Sequence, residues 1–486
     1  MDIGADKRHP GEHATPRWAF DTLALLGGRG RTGGDPAGGP EIMATAQPNH
    51  ILVVGAGLGG ALIATALAKA GHRVEVYERR PDPRVGSAAA GRSINLAISV
   101  RGLHALRQIG LERDILDVAV PMRGRMIHSP AGETVFQPYG VSETDVINSV
   151  SRLGLNIALI NAAERCENLK IHFDHRCTHV DLDSATAEFQ RGDGQTVRAT
   201  ADYIVGTDGA FSAVRAAMQR LDRFEYSQSY LEHGYKELVI PAGPGGAFRI
   251  DRNCLHIWPR RSYMMIALPN QDGSFTCTLF WPFEGENSFG ALKTPDEIMR
   301  YFQAHFPDAV PIMPTLVEDY QRNPASSLVT VRCGPWNYKD KAVLLGDAAH
   351  AVVPFYGQGA NAAFEDCVVL AECLAARPND RATALAEYYH RRKEHADTLA
   401  DLAIGNFLEM RDKTNSRLFL LRKKSEKILH KLFPDWYLPL YSMVSFSRTP
   451  YADAVRRAAR QDRIVLRVLA AIGAVLLLAV LWWIVR

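Results

Sequence analysis

Three closely spaced glycines, Gly55, Gly57 and Gly60, have the residue type and spacing that bind the pyrophosphate of a dinucleotide. The first permits a tight turn, the second lets the backbone approach the phosphates, and the third allows a helix to pack closely on a strand. The following helix would present free backbone N–H groups to the phosphates. Glu78, 23 residues after Gly55, is placed to accept hydrogen bonds from ribose hydroxyls. Because a carboxylate there serves NAD and FAD alike, the motif predicts a dinucleotide site without choosing between them.

The flanking sequence supplies the elements that must position these residues. Residues 50–54 form a short apolar run typical of a buried parallel strand, and residues 74–77 form a second such run. Residues 58–70, between them, combine apolar and small side chains and indicate a helix that approaches the sheet closely. This order of strand, helix and strand predicts a Rossmann-like unit. The alternative, a glycine turn that serves only for packing, would not require these flanking elements.

Two later segments repeat the strand-to-helix pattern with an aspartate at the turn. In residues 202–215 a strand runs into Asp208, and in residues 342–366 a strand ends at Asp347. The loop 357–361 would aim the backbone N–H groups of a helix N-terminus at a flavin ring, where the helix dipole stabilises the negative charge of the reduced ring. Taken singly, each segment is equally compatible with a turn that ends in a helix-capping aspartate.

Together, and after the glycine motif, these segments resemble the three fingerprints of the single-component aromatic-hydroxylase flavoproteins. The resemblance implies FAD as the cofactor and NADPH as a co-substrate that binds without a second Rossmann motif. The sequence has no second credible glycine motif and no CxxxxC pair, which argues against the two-dinucleotide disulfide reductases.

Longer strings narrow the resemblance to the kynurenine 3-monooxygenase family. They include GRSINLAIS (91–99), MRGRMIHS (122–129), HGYKELVIP (233–241), LHIWPR (255–260), GDAAHAVVPFYGQGANAAFEDC (346–367), NFLEMR (406–411) and LPLYSMVSF (438–446). The resemblance covers about residues 50–467. It implies hydroxylation of L-kynurenine to 3-hydroxy-L-kynurenine, a step of tryptophan degradation, in which a flavin hydroperoxide formed from O2 transfers oxygen to the aniline ring.

The resemblance also implies the residues of the site. Those that would bind the substrate are Arg125, Tyr139, Asn406 and Tyr441. Those that would bind the cofactor are Gly55, Gly57, Leu58, Gly60, Glu78, Arg80, Ala97, Arg152, Cys177, Asp208, Asp347, Gly359, Ala360 and Asn361. A guanidinium can form two parallel hydrogen bonds with a carboxylate, which agrees with an arginine among the residues that would bind the substrate.

Three points qualify this set of residues. From residue types alone, Arg125 is more typical of a surface ion pair, Tyr139 and Tyr441 of half-buried aromatics, and Asn406 of a polar residue on a helix face. Ala360 stands where family members carry Met, which affects the fine positioning of the flavin more than activity. His350 lies inside a GDAAH turn and is given a structural rather than a catalytic role, so no catalytic acid or base is expected.

The implied fold class is α/β, with a discontinuous Rossmann-like FAD-binding domain and an antiparallel-sheet substrate domain. The short β-prone runs between residues 228 and 285 predict that sheet. The expected boundaries are 49–115 with 145–220 and 335–380 for the FAD-binding domain, 116–144 with 221–334 for the substrate domain, 381–463 for a helical region that closes the site, and 464–486 for a membrane anchor. The seven cysteines form no CxxC pair, so neither a metal site nor a disulfide framework is expected.

The formal net charge of +3 gives no indication of a nucleic-acid partner, but it hides an asymmetry. Residues 411–467 carry 14 Lys and Arg against 5 Asp and Glu, a net charge of +9. Residues 464–486 are apolar apart from two arginines and have the roughly 20-residue length of a membrane-spanning helix. The arginines before this segment predict that the main body lies on the cytoplasmic side. The alternatives are a buried C-terminal core helix and an ordinary solvated basic face.

Residues 1–48 are rich in Gly, Pro and Arg and show no hydrophobic period, so we expect a disordered or mis-called extension with Met43 as a candidate start. Gly28, Gly30 and Gly33 repeat the glycine spacing there, but no helix follows and the match is spurious. Two other functions remain to be weighed against kynurenine hydroxylation: a membrane-bound FAD hydroxylase of a quinone-precursor or terpenoid lipid, and a flavin-bearing membrane adaptor.

Overall fold

The computed structural model describes residues 48–85, 94–140, 142, 144–409, 425–426 and 428–486. The expected N-terminal extension therefore lies outside the described residues, as do parts of the strings at 91–99 and 406–411 and part of the basic stretch after residue 410.

The strands are β1 His50–Val54, β2 Arg73–Tyr77, β3 Asn95–Ile98, β4 Val120–Met122, β5 Gly124–His128, β6 Thr134–Pro138, β7 Ile147–Ser151, β8 Leu169–His172, β9 His175–Asp181, β10 Thr186–Arg191, β11 Thr196–Thr200, β12 Tyr203–Gly206, β13 Glu225–Ile240, β14 Cys254–Arg260, β15 Tyr263–Pro269, β16 Phe275–Pro282, β17 Ser326–Gly334, β18 Asn337–Tyr338 and β19 Ala342–Leu344.

The α-helices have the following bounds, with a short 3-10 turn at Pro354–Tyr356 between the eighth and the ninth. They are α1 Leu58–Lys69, α2 Val100–Ile109, α3 Glu112–Val118, α4 Arg152–Glu164, α5 Ala213–Met218, α6 Pro295–His305, α7 Leu316–Arg322, α8 Asp347–His350, α9 Gly359–Ala376, α10 Arg381–Leu408, α11 Leu440–Phe446 and α12 Tyr451–Val485.

A six-stranded sheet in the order β18-β19-β12-β1-β2-β8 forms the cofactor side of the molecule. All of its pairs are parallel except β18 with β19. Residues 51–54 of the central strand β1 are completely buried because both faces of the sheet are covered, which explains their unbroken apolar sequence. The sheet is assembled from three separate stretches of chain, and the mixed α/β fold expected from the sequence is confirmed.

A seven-stranded sheet in the order β17-β13-β16-β15-β14-β5-β6 forms the substrate side. It is antiparallel as expected, except that β14 and β5 pair in parallel. A parallel pair needs a long crossover connection, and the chain between β5 and β14 supplies one by passing through strands of the cofactor side. Two three-stranded sheets, β11-β10-β9 and β3-β7-β4, complete the β-structure of the described residues.

The C-terminal helix α12 is one continuous element with two different environments. Its first turns pack into the protein through the buried residues Tyr451, Ala452, Ala454 and Gln461. Its second half is apolar yet carries no buried residue, and in the described part of the chain α12 is the one helix long and apolar enough to cross a membrane. At about 1.5 Å per residue the 35 residues extend about 52 Å, so the helix is long enough to join the body to a bilayer.

Adjacent carboxylates of α9, Glu365 and Asp366, are buried and neutralised by a network of ion pairs. Glu365 accepts from Nη1 of Arg101 at 2.6 Å and from Nη1 of Arg392 at 2.5 Å. Asp366 accepts from Nε of Arg392 at 2.7 Å and pairs with Nε2 of His350 at 2.5 Å. Burial alone would raise the pKa of Asp366, but His350 and Arg392 outweigh it and lower the pKa to about 2. The network joins helices α2, α8, α9 and α10, and it gives His350 the structural role expected from the sequence.

Replacing Glu365 with Gln should lower the free energy of unfolding by about 3–5 kcal/mol, because Arg101 and Arg392 would be left with uncompensated buried charge. Glu372→Gln is the matched control: Glu372 lies on the same helix and pairs with Arg391 on the surface at 2.7 Å, and exposed pairs contribute about 0–1 kcal/mol. Urea denaturation of both variants measures the difference. Equal midpoints would contradict a stabilising role for the buried network.

Candidate active site

The glycine turn after β1 has the geometry that its motif predicts. Gly55 has φ +104°, and a Cβ there would lie 2.7 Å from the carbonyl oxygen of Thr207. A Cβ on Gly60 would lie 1.9 Å from the carbonyl oxygen of Gly55, so Gly60 allows α1 to start against the turn. A Cβ on Gly57 would meet no atom within 4 Å. The fold itself therefore requires Gly55 and Gly60, whereas Gly57 keeps space open beside the backbone.

Glu78, at the end of β2, braces this turn. One carboxylate oxygen accepts from the backbone N–H of Ala56 at 2.8 Å, and the other accepts from the backbone N–H of Arg80 at 2.9 Å. Asn156 of α4 holds the other side of the turn by donating to the carbonyl oxygen of Ala56 at 3.0 Å. The carboxylate thus fixes the turn, and Glu78 also lines the cavity.

Asp208 follows β12 and carries a hydrogen-bond acceptor that the protein leaves unsatisfied. Its Oδ2 accepts from the backbone N–H of Ala213 at 2.6 Å. Its Oδ1 is buried and has no partner among the described residues. Burial raises the pKa of this carboxyl, and burial together with Asp208 raises the pKa of the neighbouring Cys177 thiol to about 12. Because a buried acceptor without a partner is costly, Asp208 fits the hydroxyl groups of a bound cofactor.

The third fingerprint surrounds the start of α9. Gly357 has φ +68°, and a Cβ there would lie 3.2 Å from Cβ of Ala97 on β3. Asn361 is completely buried and donates from Nδ2 to the carbonyl oxygens of Ala97 at 2.8 Å and Gly357 at 3.0 Å, while its Oδ1 accepts from the N–H of Ser99 at 2.9 Å. Asn361 therefore holds the glycine loop against β3, and the first turn of α9 points its free N–H groups into the space that remains.

Arg125 on β5 forms a cluster with three tyrosines at the other end of the site. Its guanidinium carbon lies 4.9 Å from the ring centre of Tyr441 and 5.6 Å from that of Tyr139. The Tyr441 ring stacks between those of Tyr139 and Tyr356, with centres 5.7 Å apart on both sides. We call these four residues the Arg125 clamp.

The electrostatics of the Arg125 clamp favour a bound anion. Nε of Arg125 is buried and has no hydrogen-bond partner in the described part of the chain. Burial alone would lower the pKa of Arg125, but the phenol groups of Tyr441 and Tyr139 raise it, so the guanidinium stays charged. Burial is the main cause that raises the pKa of Tyr139, which stays a neutral donor. A charged, buried guanidinium that pairs with no carboxylate among the described residues is suited to a carboxylate in a ligand.

Both ends of the site open into one cavity of about 1030 Å³. Its volume lies at the upper end of the roughly 300–1,000 Å³ of small-molecule sites, which agrees with an extended dinucleotide next to a small second ligand. Between the two ends the wall is largely apolar, with contributions from Leu255, Met264, Ile266, Leu268, Phe280 and Phe355. An apolar wall of this kind disfavours water next to a bound ligand.

The structure brings together most residues expected at the site. The following line the cavity: Gly55, Gly57, Leu58, Glu78, Arg80, Ala97, Arg125, Tyr139, Arg152, Cys177, Asp208, Asp347, Gly359, Ala360 and Tyr441. Gly60, Asn361 and Asn406 are not among the lining residues. Asn406 is buried and donates from Nδ2 to the carbonyl oxygen of Phe355 at 2.6 Å, so it supports the loop before α9. Direct binding roles for the individual residues stay a prediction.

Sequence reasoning missed Tyr356, which lines the cavity and stacks on Tyr441. The signal was present, because Tyr356 lies inside the string 346–367 that carries the third fingerprint. Thr278 and the apolar wall residues of β14, β15 and β16 were also missed. Their apolar runs predict strands, but nothing in them distinguishes a cavity wall from a core.

Comparisons with known proteins agree with this geometry. Residues 49–403 match the model of a family described as FAD binding domain. The chain is 49% identical to kynurenine 3-monooxygenase of Myxococcus xanthus over 87% of its length and 91% of that protein, and 48% identical to kynurenine 3-monooxygenase of Dictyostelium discoideum over 83% and 89%. A tetrameric form of 2-methyl-3-hydroxypyridine-5-carboxylic acid oxygenase has a similar fold, with a TM-score of 0.62 at 19% identity, over 77% of this chain and 96% of that one.

Replacing Gly57 with Ala should abolish retention of FAD without unfolding the apoprotein. The new methyl group meets no protein atom, and it occupies the space that the pyrophosphate needs. Flavin absorbance of the purified protein and the melting temperature of the apoprotein measure the two effects. Gly60→Ala is the contrasting variant, because its methyl group collides with the turn itself and should lower the melting temperature. Full flavin content in Gly57→Ala would contradict the assigned phosphate site.

Proposed function

The chain belongs to the kynurenine 3-monooxygenase family of FAD-binding proteins, and from this premise we propose that it hydroxylates L-kynurenine to 3-hydroxy-L-kynurenine with NADPH and O2. The observation that carries the proposal is the single cavity that joins a dinucleotide cradle to the Arg125 clamp. The family relation supports the reaction, and the residues that line the cavity support the proposed binding of both ligands.

FAD, when bound, supplies the electron transfer and oxygen activation that no amino-acid side chain provides. The chain contributes the cradle: the open face of Gly57 for the pyrophosphate, Asp208 and Asp347 for hydroxyl groups, and the first turn of α9 for the ring. The Cβ of Ala360 replaces the longer side chain expected from the resemblance. The unsatisfied Oδ1 of Asp208 is the protein feature that fits this group most directly.

The Arg125 clamp orients the substrate relative to that cradle. We propose that Arg125 pairs with the amino-acid carboxylate, assisted by the hydroxyl groups of Tyr139 and Tyr441, so that the aniline ring extends into the apolar part of the cavity. A fixed carboxylate aims one ring position at the cofactor, and positioning of this kind is a large part of catalysis. The apolar wall excludes water from the reacting ring.

The lipid-hydroxylase alternative does not agree with this site. A prenylated phenol or terpenoid that lacks a carboxylate would leave the buried guanidinium of Arg125 without an anionic partner, at an appreciable cost in free energy. The relatives that match most of the chain are kynurenine 3-monooxygenases. A flavin-bearing adaptor without activity would not need the clamp at all.

L-Kynurenine should stimulate NADPH oxidation by the purified FAD-bound protein, with 3-hydroxy-L-kynurenine as the product. The measurement combines NADPH absorbance with chromatography of the products. Decarboxylated kynurenine, which keeps the ring but lacks the carboxylate, is the matched control and should give much weaker stimulation. NADPH oxidation that is indifferent to L-kynurenine would contradict the proposed reaction.

Replacing Arg125 with Met should raise KM for L-kynurenine about 10- to 100-fold, because a hydrogen bond to a charged group contributes about 1.5–3 kcal/mol. FAD content should not change, since Arg125 lies at the substrate end. Arg123→Met is the control, because the Arg123 side chain is exposed on the neighbouring turn. Steady-state kinetics of both variants measure the effect. An unchanged KM in Arg125→Met would show that Arg125 does not bind the substrate carboxylate.

We further propose that the apolar half of α12 anchors the protein in a membrane, with the body on the cytoplasmic side. The support is the apolar surface that is exposed from Leu466 onward, together with Trp482 and Trp483 near its end and the arginines at the start of the segment. An apolar helix of this length exposed to water would be unstable in solution.

Deletion of the residues after Arg463 should move the protein from the membrane pellet to the soluble fraction on ultracentrifugation. The deletion spares the first turns of α12 that pack into the body, so flavin content should persist and serves as the control for folding. An unchanged pellet fraction with full flavin content would show that α12 is not the anchor.

A further inference from the structure

Four apolar side chains between residues 428 and 436 are exposed together at the surface. Ile428, Leu432, Phe433 and Trp436 have exposed fractions of 51%, 64%, 53% and 40%. Residues 428–432 are helical, and the N–H groups of Trp436 and Tyr437 donate to the carbonyl oxygen of Phe433, so a tight turn follows the helix. We call the four exposed residues the 428–436 patch. Exposed apolar side chains grouped in this way mark an interaction surface.

The 428–436 patch lies beside the point where α12 leaves the body. Arg457 donates from Nη2 to the carbonyl oxygen of Asp435 at 3.4 Å, and Gln461 donates from Nε2 to the carbonyl oxygen of Leu438 at 3.4 Å. The apolar half of α12 starts at Ile464, three to seven residues further along the helix, which is a rise of about 5–10 Å. The headgroup layer on each side of a bilayer is about 5–7 Å thick, as the difference between total and hydrocarbon thickness gives.

The chemistry of the surrounding residues also matches a membrane interface. Phe433 and Trp436 are aromatic side chains of the kind that lie at headgroup depth. Lys431, Arg460 and Arg463 carry positive charge close to them along the chain and along α12, and anionic lipids attract such clusters. A short segment with apolar residues on one side and cations nearby is typical of helices that lie in the plane of the interface.

We propose that the 428–436 patch is a second membrane contact, which inserts into the headgroup layer of an anionic bilayer next to α12. This contact rests on the proposed anchorage by α12, because α12 places the patch at the interface. The spanning half of α12 alone leaves the body free to tilt and rotate, and a second contact point restricts both motions. The occupant is lipid rather than a second copy of the chain, since the exposed half of α12 leaves the body directly beside the patch.

The test places a photo-crosslinking residue, benzoylphenylalanine, at single positions of the full-length FAD-bound protein in vesicles of phosphatidylcholine and phosphatidylserine. Positions 433 and 436 report on the patch. Leu469, 59% exposed in the apolar half of α12, reports on anchorage, and Val85, an exposed apolar residue of the cofactor side, is the negative control. Retained flavin and kynurenine-dependent NADPH oxidation show that each variant is folded, and mass spectrometry identifies the adducts.

We expect lipid adducts at positions 433, 436 and 469 and no lipid adducts at position 85. Adducts at 469 without adducts at 433 and 436 would overturn the second contact and leave the anchor in place. The absence of lipid adducts at all three positions, 433, 436 and 469, would overturn both the second membrane contact and the anchorage by α12. Protein–protein adducts at positions 433 and 436 would assign the 428–436 patch to a contact with a second copy of the chain. Lipid adducts at position 85 as strong as those at position 436 would show that lipid contact is not specific to the patch, and would overturn the proposal.

Discussion

The structure depends on the neutralisation of two adjacent carboxylates, Glu365 and Asp366, inside the protein. A buried carboxylate is tolerated only when cations and donors surround it, and here Arg101, Arg392 and His350 do so from three other helices. The same helix, α9, starts at the turn where we propose that the flavin ring binds. The ion pairs therefore fix α9 relative to the turn between β19 and Asp347, because Asp366 also accepts from the N–H of Gly346 at 3.2 Å.

The same constraint extends to the C-terminal part of the chain. The Arg101 guanidinium donates to the carbonyl oxygen of Thr449 and lies 4.1 Å from the ring centre of Tyr451, the first residue of α12. Tyr451 in turn donates to Gln358 at 3.1 Å, one residue before α9. The start of the proposed anchor and the loop before α9, which we propose faces the flavin, thus share one buried set of contacts. Between them lies α11, which supplies Tyr441 to the Arg125 clamp.

Local pattern was enough to predict much of the fold. The run 50–54 is β1 to the residue, and the helix expected at 58–70 ends one residue earlier. These elements follow from hydrophobic period and glycine spacing, which act over a few residues. The parallel pairing of β14 with β5 was not predictable, because register between distant strands depends on the path of the whole chain.

The sequence predicted which residues belong to the site better than it predicted what each of them does there. Family motifs name Asn361 and Gly57 alike, but only the structure shows that Asn361 holds the loop while Gly57 faces open space. Glu78 likewise has a bracing role that its position in the sequence does not reveal. Tyr356 lies inside a recognised string, but its stacking on Tyr441, 85 positions away, is what places it in the Arg125 clamp. Hydrogen-bond partners and stacking are tertiary properties, and a single sequence does not encode them in any local pattern.

The most direct test of this account is an experimental structure of the protein with FAD and L-kynurenine bound. The account predicts one cavity that contains both ligands, with the substrate carboxylate within hydrogen-bond distance of Arg125 and its aniline ring between the apolar wall and the flavin at the start of α9. A substrate carboxylate bound elsewhere, or a flavin ring that does not reach the 357–361 loop, would contradict it.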